Sequence, residues 1–316
     1  RDGEKDKREP EPGQILIPSR YYAYRSDGGR YPLSAMADFA AENGFSGVDL
    51  SLDRFDTTDD GLPGTLEAFR RRLAAHGLTL PACHLPFYMP SPDDANAMRR
   101  FTGEQTAALR TAAGLGVRIA VIHPIVRHGS RQSPAGGTGE DAWLRENIAC
   151  LTPLRELAAR TGVTLAVENM AGRPDPDAPG ETVYGTRAAH IAALADALDC
   201  GICWDFGHAH ITGADSPGVS LAAVGRRLAL VHIHDNDGMT DSHALPGEGS
   251  IDWDAAMAGL RAVGYTGCMD MELKSSDLPD DRQLRFKVGN GNGEHDDDTE
   301  TSFSMNAGIS SRSATV

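Results

Sequence analysis

The feature that most constrains the fold is a regular alternation of short apolar runs with longer amphipathic segments. Between the runs stand segments with apolar residues at helical spacing that end near glycine, such as "PLSAMADFAAENG" and "TLEAFRRRLAAHG". Strands alternating with helices predict parallel strands joined by crossover helices. Eight runs of strand type occur, the number that closes a barrel: "QILIPS", "GVDLSL", "LPACHLP", "IAVIHP", "TLAVENM", "GICWDFGH", "LALVHIHDND" and "GCMDMEL".

We therefore predict an α/β fold, a (β/α)₈ TIM barrel that forms a single domain over residues 14–275. Residues 1–13 and 276–316 are charged, polar and poor in apolar side chains, which predicts disordered tails at both ends. After the eighth run a full outer helix is expected, but the chain offers only "LPDDRQLRFK". What replaces that helix stays open, and an open doubly wound sheet is the competing architecture.

Charge and composition narrow the class of protein. The chain has 30 Lys and Arg against 45 Asp and Glu, a net charge of −15, whereas a nucleic-acid binder usually shows a basic footprint. No apolar run approaches the roughly 20 residues that a membrane helix needs, and we find no secretory signal. The five cysteines are few and scattered, and the Cys200-x-x-Cys203 pair lies in an apolar strand pattern. These features favour buried thiols in a cytoplasmic protein, without a nucleic-acid or membrane partner.

Residues of metal-binding type follow six successive strand runs, from the third to the eighth. The active sites of such barrels lie at the C-terminal ends of the strands, so these side chains should meet at one mouth. Any one of them alone is more often a hydrogen-bonded structural residue, but the whole series favours a metal centre. The candidates are His84, His123, Glu168, Asp205 with His208, His234 with Asp241 and His243, and Glu272.

The donor types indicate the metal. Imidazole nitrogen and carboxylate oxygen bind divalent Zn, Mn, Co or Fe, and the number of donors allows one to three ions. Residues two positions apart in a strand share a face, so His232 should lie one layer below His234, as a core residue rather than a ligand. Asp270 stands in the same relation to Glu272. We expect His232 and Asp270 to point into the barrel and to support each other, directly or through water.

Several motifs together resemble the xylose isomerase-like barrels, a family that includes sugar isomerases, sugar epimerases and endonuclease IV-type apurinic-site nucleases. The resemblance spans about residues 14–273. The motifs are "HLP" at 84–86, "HP" at 123–124, "VEN" at 167–169, "DFGHAHITG" at 205–213, "HIHDNDGMTDSHALPGEGSIDW" at 232–253 and "MEL" at 271–273.

The resemblance implies a metal site and two possible chemistries. It implies that Glu168, Asp205, His234 and Glu272 form the shared metal site, and that residues matching Glu168 and Glu272 move the substrate proton in the epimerases. In the nuclease members, two further metals are held by residues matching His84, His123, His208, Asp241 and His243.

The leading hypothesis is a metal-dependent sugar or sugar-phosphate isomerase or epimerase that transfers a proton through an enediolate. Glu168 and Glu272 would exchange the proton, and His208 would orient a substrate hydroxyl or bind a second metal. Ketose 3-epimerases place an Arg after the seventh strand, and the "DNDGMTDSH" of this chain has none, which argues against that subgroup. The alternative is an endonuclease IV-type hydrolase acting on abasic DNA, which the full ligand set supports and the net charge opposes.

The loop "VRHGSR" after the fourth run places Arg127, His128 and Arg131 near the expected mouth. There they could bind an anionic group of a small-molecule sugar or sugar-phosphate substrate, or they could form a solvated surface. The sequence leaves the substrate, the metal and a homo-oligomeric state open.

Overall fold

Eight parallel strands close into a barrel in which the first strand pairs with both the second and the last. The structure is a computed structural model and describes residues 13–19, 32–55, 61–87, 90, 94–130, 139–173, 177 and 181–273. This closed barrel confirms the predicted (β/α)₈ fold and excludes the open doubly wound sheet. The barrel strands, in their order around it, are β1 (Ile15–Pro18), β2 (Gly47–Ser51), β3 (Thr79–His84), β4 (Ile119–Ile122), β6 (Thr164–Glu168), β8 (Gly201–Asp205), β9 (Leu228–His232) and β10 (Met269–Asp270).

Helices connect successive barrel strands, and local signals set their ends. The Asp94 side chain accepts the backbone N–H groups of Asn96 and Ala97 and so caps α3, which ends at Gly116 in the left-handed conformation (φ +79°). Asp252 caps α8 in the same way by accepting the N–H of Ala255. The helices are α1 (Leu33–Glu42), α2 (Leu62–Ala75), α3 (Ala95–Leu115), α4 (Gly139–Thr161), α5 (Ala188–Leu198), α6 (Phe206–Thr212), α7 (Pro217–Val224) and α8 (Trp253–Ala262).

The core has two parts, because successive side chains of a strand point to opposite faces. One set faces the helices and forms the larger apolar cluster, which includes Leu50, Ile122 and Trp204. The other set faces the barrel axis and forms a separate, fully buried cluster that we call the floor layer. It consists of Leu16, Ala82, Val121, Ala166, Cys203, Leu230 and Cys268.

A small antiparallel sheet lies outside the barrel order. It pairs β5 (Arg127–Ser130) with β7 (Glu181–Tyr184), joining the segment after β4 to the segment after β6. The sequence predicted a loop at residues 126–131, and the structure shows a strand over most of it.

Some sequence-based expectations fall partly or wholly outside the described residues. These are the two disordered tails, apart from Gly13, and the "LPDDRQLRFK" segment where an eighth outer helix was missing. All five cysteines are free thiols, as expected, and only Cys200 is not fully buried. None of the helices in the described part of the chain is long and apolar enough to cross a membrane.

Candidate metal centre

A ring of polar side chains lies one step above the floor layer. Each member stands two residues beyond a floor residue in the same strand or just after its end, and so faces the same interior. The ring therefore follows from an apolar-to-polar switch at every second residue. Its members are His84, His123, Glu168, Asp205, His232 and Asp270.

Four residues bring their ligand atoms within 4.8 Å of one another, and we call them the central group: Glu168, Asp205, His232 and Glu272. The His232 Nδ1 atom lies 3.3 Å from Glu168 Oε1, 3.5 Å from Asp205 Oδ2 and 3.4 Å from Glu272 Oε2. In β9, His232 pairs in register with Asp205 of β8. One imidazole nitrogen and three carboxylates thus converge from the ends of four consecutive barrel strands, β6, β8, β9 and β10.

The central group fits a divalent cation. Its three carboxylates and its imidazole are all buried, and burying several carboxylates is costly unless a cation balances them. Neither ring nitrogen of His232 has a hydrogen-bond partner among the described residues. Burial lowers the pKa of His232, but the negative charges of Glu272 and Glu168 outweigh this and raise it well above its usual value. A bound cation would therefore stabilise this group of buried carboxylates.

This geometry differs from one expectation about the site. The sequence predicted that His234 completes the set with Glu168, Asp205 and Glu272, and that His232 is a core residue below it. The structure places His232 in that set. His234 contacts Asp205, with its Nε2 atom 3.0 Å from Oδ2. The reason is that β9 switches from apolar to polar at His232, two residues earlier than we assumed.

A second group, which we call the histidine pair, adjoins the central group through a shared carboxylate. It contains the two histidines His84 and His123 together with the shared carboxylate of Glu168. Glu168 Oε2 lies 3.1 Å from His84 Nε2 and 3.0 Å from His123 Nε2. Burial lowers the pKa of His84, but the hydrogen bond and the charge of Glu168 raise it to about 9. Phe87, which is half exposed, packs edge-on against the His123 ring with centroids 4.7 Å apart.

A third group, which we call the loop group, forms where the segment after β9 returns to the barrel mouth. It contains His234, Asp241 and His243. Asp241 Oδ2 lies 3.2 Å from His243 Nε2 and 3.4 Å from His208 Nε2. Eight of the nine predicted metal-site residues thus lie at one mouth in three adjoining groups, with His232 as an added member. The ninth, His208, lies beside the loop group through its contact with Asp241.

A buried acid below the site was missed by sequence reasoning. Asp49 in β2 is 1% exposed, and neither of its carboxylate oxygens has a partner among the described residues. Burial raises its pKa to about 6. It is the single polar residue in the run "GVDL", which was the available signal. Asp270 is buried as expected, and its Oδ2 atom lies 3.9 Å from His232 Nε2, too far for a direct hydrogen bond. Support through a water molecule stays a prediction.

The expected substrate-binding residues stay predictions. The backbone of Arg127 and His128 belongs to β5 and pairs with Tyr184 and Val183 of β7. Their side chains lie outside the described part of the structure, and so does the whole of Arg131.

Comparisons with known proteins identify the fold and the family of this chain. The sequence model of the xylose isomerase-like TIM barrel family matches residues 37–290. An inosose isomerase of Bacillus velezensis is 27% identical over 192 residues, covering 57% of this chain and 62% of the relative. Endonuclease 4 of Thermus thermophilus is 28% identical over 201 residues, covering 60% and 67%.

A solved L-ribulose 3-epimerase shares the fold, with a TM-score of 0.63 and 21% identity over 85% of this chain and 84% of the other. The chain spans less than two thirds of the length of the first curated relatives that it matches. The family match covers most of the barrel and most of the groups described above. The chain therefore belongs to the xylose isomerase-like TIM barrel family.

Proposed function

We propose that the protein is a metal-dependent isomerase or epimerase of a sugar or sugar phosphate. Relatives and structural neighbours named as inosose isomerase and sugar epimerases support an isomerase or epimerase at the family level. The substrate and the metal dependence belong to this proposal. The observation that supports it most is the pair of buried glutamates, Glu168 and Glu272, whose carboxylates both lie within 3.4 Å of His232 Nδ1.

The central group supplies both parts of a proton-transfer site. A divalent ion held by these four residues would polarise a substrate carbonyl and so make the neighbouring C–H bond more acidic. Glu168 and Glu272 lie 3.3 and 3.4 Å from His232 Nδ1. Their strands, β6 and β10, are separated by β8 and β9 around the barrel. The two carboxylates therefore approach the centre from different directions.

The protonation state of Glu168 suits a base. Burial would raise its pKa, but the positive charge of His232 and the hydrogen bonds of His123 and His208 hold it well below its usual value, so the carboxylate is ionised at neutral pH. One glutamate would remove the proton from carbon and the other would return one, which is the requirement for inverting or moving a hydroxyl-bearing centre. His208, the third residue predicted to act in catalysis, directs its Nε2 atom towards Asp241, which favours metal binding over orienting a substrate hydroxyl.

The test is isotope exchange. In deuterated water, a panel of keto-sugars and their phosphates should take up deuterium at the carbon next to the carbonyl. Glu168→Gln should lower the exchange rate by about 10²–10⁴-fold, the usual contribution of a positioned acid or base. Glu156→Gln makes the same chemical change at an exposed position of α4 and should leave exchange unchanged. Absence of exchange across the panel, in protein shown to contain metal, would refute the proposal.

One observation favours a second function, a phosphodiester hydrolase. Glu168 belongs both to the central group and to the histidine pair, and the loop group lies beside them. Clustered ions can activate water and stabilise phosphate oxygens, and one relative is named endonuclease 4. The net charge of −15 argues against a DNA substrate. Cleavage of duplex DNA at abasic sites, falling steeply with salt and abolished in Glu168→Gln, would establish the hydrolase instead.

A further inference from the structure

The hydrogen-bonded pairing between β6 and β8 stops just below the central group. Its last register pair joins Glu168 of β6 to Cys203 of β8, whereas β8 itself continues to Asp205. Beyond Glu168 the chain turns away from β8, since the Met170 N–H donates to the Gly185 carbonyl oxygen. The strand pairing therefore ends two residues short of Asp205, although Glu168 and Asp205 both belong to the central group.

The side chain of Asn169 continues the pairing where β6 ends. Its Oδ1 atom accepts the backbone N–H of Asp205 at 2.7 Å, and its Nδ2 atom donates to the backbone carbonyl oxygen of Asp205 at 2.9 Å. A carboxamide carries an acceptor and a donor, as a peptide group does. Asn169 is fully buried, so both hydrogen bonds lie in a low-dielectric interior, where they are strong. The side chain thus takes the place of one more strand residue.

The backbone of Asn169 extends this connection to the start of α6. Its carbonyl oxygen accepts a hydrogen bond from His208 Nδ1 at 2.9 Å. The Asp205 carboxylate in turn accepts the backbone N–H of His208 at 2.7 Å. Asn169, Asp205 and His208 therefore form one hydrogen-bonded unit, and this unit follows directly after Glu168 in the chain.

The relative position of Glu168 and Asp205 matters for cation binding. Glu168 Oε1 and Asp205 Oδ2 lie 3.3 and 3.5 Å from the same atom, His232 Nδ1. A metal site requires ligand distances within about 0.2 Å of their ideal values, while one residue of a strand spans about 3.3 Å. A small slip of β8 along β6 would therefore spoil the group, and the Asn169 amide joins these two strand ends.

The chemistry of this contact selects asparagine. Alanine would leave the N–H and the carbonyl oxygen of Asp205 without these partners, and a buried polar group without a partner is costly. Aspartate would direct a second acceptor at the Asp205 carbonyl oxygen, and glutamine is longer by one methylene group. An amide also does not ionise, so this connection does not change with pH.

We propose that Asn169 is a positioning residue of the central group. Its side chain fixes Asp205 relative to Glu168 and so sets the geometry in which the group binds a divalent cation. The inference rests on the proposed function, because that function assigns a cation to the central group. Asn169 is buried and acts through Asp205, not through contact with substrate.

The test measures the binding of Mn²⁺ alone to the full chain, by competition with a chelator. The equivalent to follow is the one that Glu272→Gln loses, since Glu272 belongs to the central group and to neither of the other two groups. In Asn169→Ala this equivalent should bind about 10–100-fold more weakly, the usual effect of losing an outer partner of a metal ligand. The EPR spectrum of the bound Mn²⁺ should change as well, because its ligands are displaced.

A matched control separates positioning from a general loss of stability. Asn43→Ala makes the same change at a buried asparagine at the end of α1, where the side-chain amide donates to the Phe39 carbonyl oxygen. This variant also loses a buried hydrogen bond, but its Mn²⁺ affinity and EPR spectrum should equal those of the wild type. If Asn169→Ala does not fold, Asn169→Ser is measured instead. Its hydroxyl can replace one of the two hydrogen bonds, and we expect about 10-fold weaker binding.

The outcomes distinguish this proposal from the proposed function. Wild-type Mn²⁺ affinity and EPR spectrum in the folded Asn169 variant would overturn the positioning role and leave the proposed function intact. An equal loss of affinity in Asn43→Ala would overturn the positioning role too. A wild-type chain without an Mn²⁺ equivalent that depends on Glu272 would overturn both. Weaker binding in the Asn169 variant of a protein that shows no isotope exchange would support the positioning role and refute the isomerase.

Discussion

The contact between Gly207 and His234 offers a direct test, because adding one methyl group should displace His234, a predicted metal ligand. In Gly207→Ala the new Cβ would lie 1.9 Å from the His234 ring, far inside the separation of about 3.5–4.0 Å at which carbon atoms attract. Gly207 and His234 are both buried, so neither can move into solvent. Either the ring rotates away from Asp205 or α6 shifts outward.

The size of the effect follows from two opposed contributions. Alanine is favoured over glycine inside a helix by up to about 1 kcal/mol, whereas overpacking a filled core costs about 1–3 kcal/mol. The control Gly103→Ala lies on an exposed face of α3, where a Cβ would meet nothing within 4 Å, so it should gain stability. We expect Gly207→Ala to be about 1–3 kcal/mol less stable than Gly103→Ala in the metal-free protein.

Zinc should widen the difference. A ligand that binds only the folded state adds stability according to its affinity, so a 100-fold weaker site loses about 2.7 kcal/mol of that gain. Chemical denaturation of both variants, with and without saturating zinc, measures both effects. If Gly207→Ala is as stable as Gly103→Ala and gains as much from zinc as the wild type, then the ring is not held by this contact and our account of His234 is wrong.

Three further predictions concern regions away from the central group. Burial lowers the pKa of His190 to about 4, below the ordinary 6.5 of an unfolded chain, so its contribution to stability is complete above pH 6.5 and is lost as the pH falls towards 4. In a plot of the free energy of unfolding against pH, His190→Gln should reduce the change over this range by up to about 3 kcal/mol. An unchanged slope would contradict this prediction. Asp235 accepts four hydrogen bonds, from the backbone N–H groups of Asn236, Gly247 and Ile251 and from Trp253 Nε1. Asp235→Leu should therefore lower the free energy of unfolding in denaturant by at least about 3 kcal/mol. A loss below about 1 kcal/mol would show that these donors find other partners. Arg173 donates to the carbonyl oxygens of Ile211 and Gly238, so Arg173→Ala should speed hydrogen exchange in residues 236–241, and equal exchange rates would refute a role in holding that segment.

The barrel could be predicted from the sequence because its signal is local and repeated. Each strand run is short, apolar and followed by helical spacing, and closure requires only eight such units. The mouth residues could be predicted for the same reason, since the amino-acid sequence shows where each apolar run ends. The β5–β7 sheet could not, because neither partner alternates clearly and their pairing joins residues about 50 positions apart.

The sequence pattern did not show which of His232 and His234 belongs to the central group. Both histidines lie on the inner face of β9, and alternation alone does not say which one is level with Asp205 of the next strand. The register between β8 and β9 decides it, by pairing Asp205 with His232. The position of Leu230 in the floor layer was an available clue, since every other ring member stands two residues beyond such a residue.

The floor layer limits how the specificity of this barrel can change. Four of its seven side chains are already alanine or cysteine, namely Ala82, Ala166, Cys203 and Cys268. Truncating side chains beneath the ring would therefore free little volume, and enlarging them would press on the ligands two residues above. Selection or design for a longer substrate has to work outward from the mouth, through the segments after the strands. Under the proposed function, residues of the ring would determine the chemistry and residues at the rim of the mouth would determine the choice of substrate, so the two could be mutated separately.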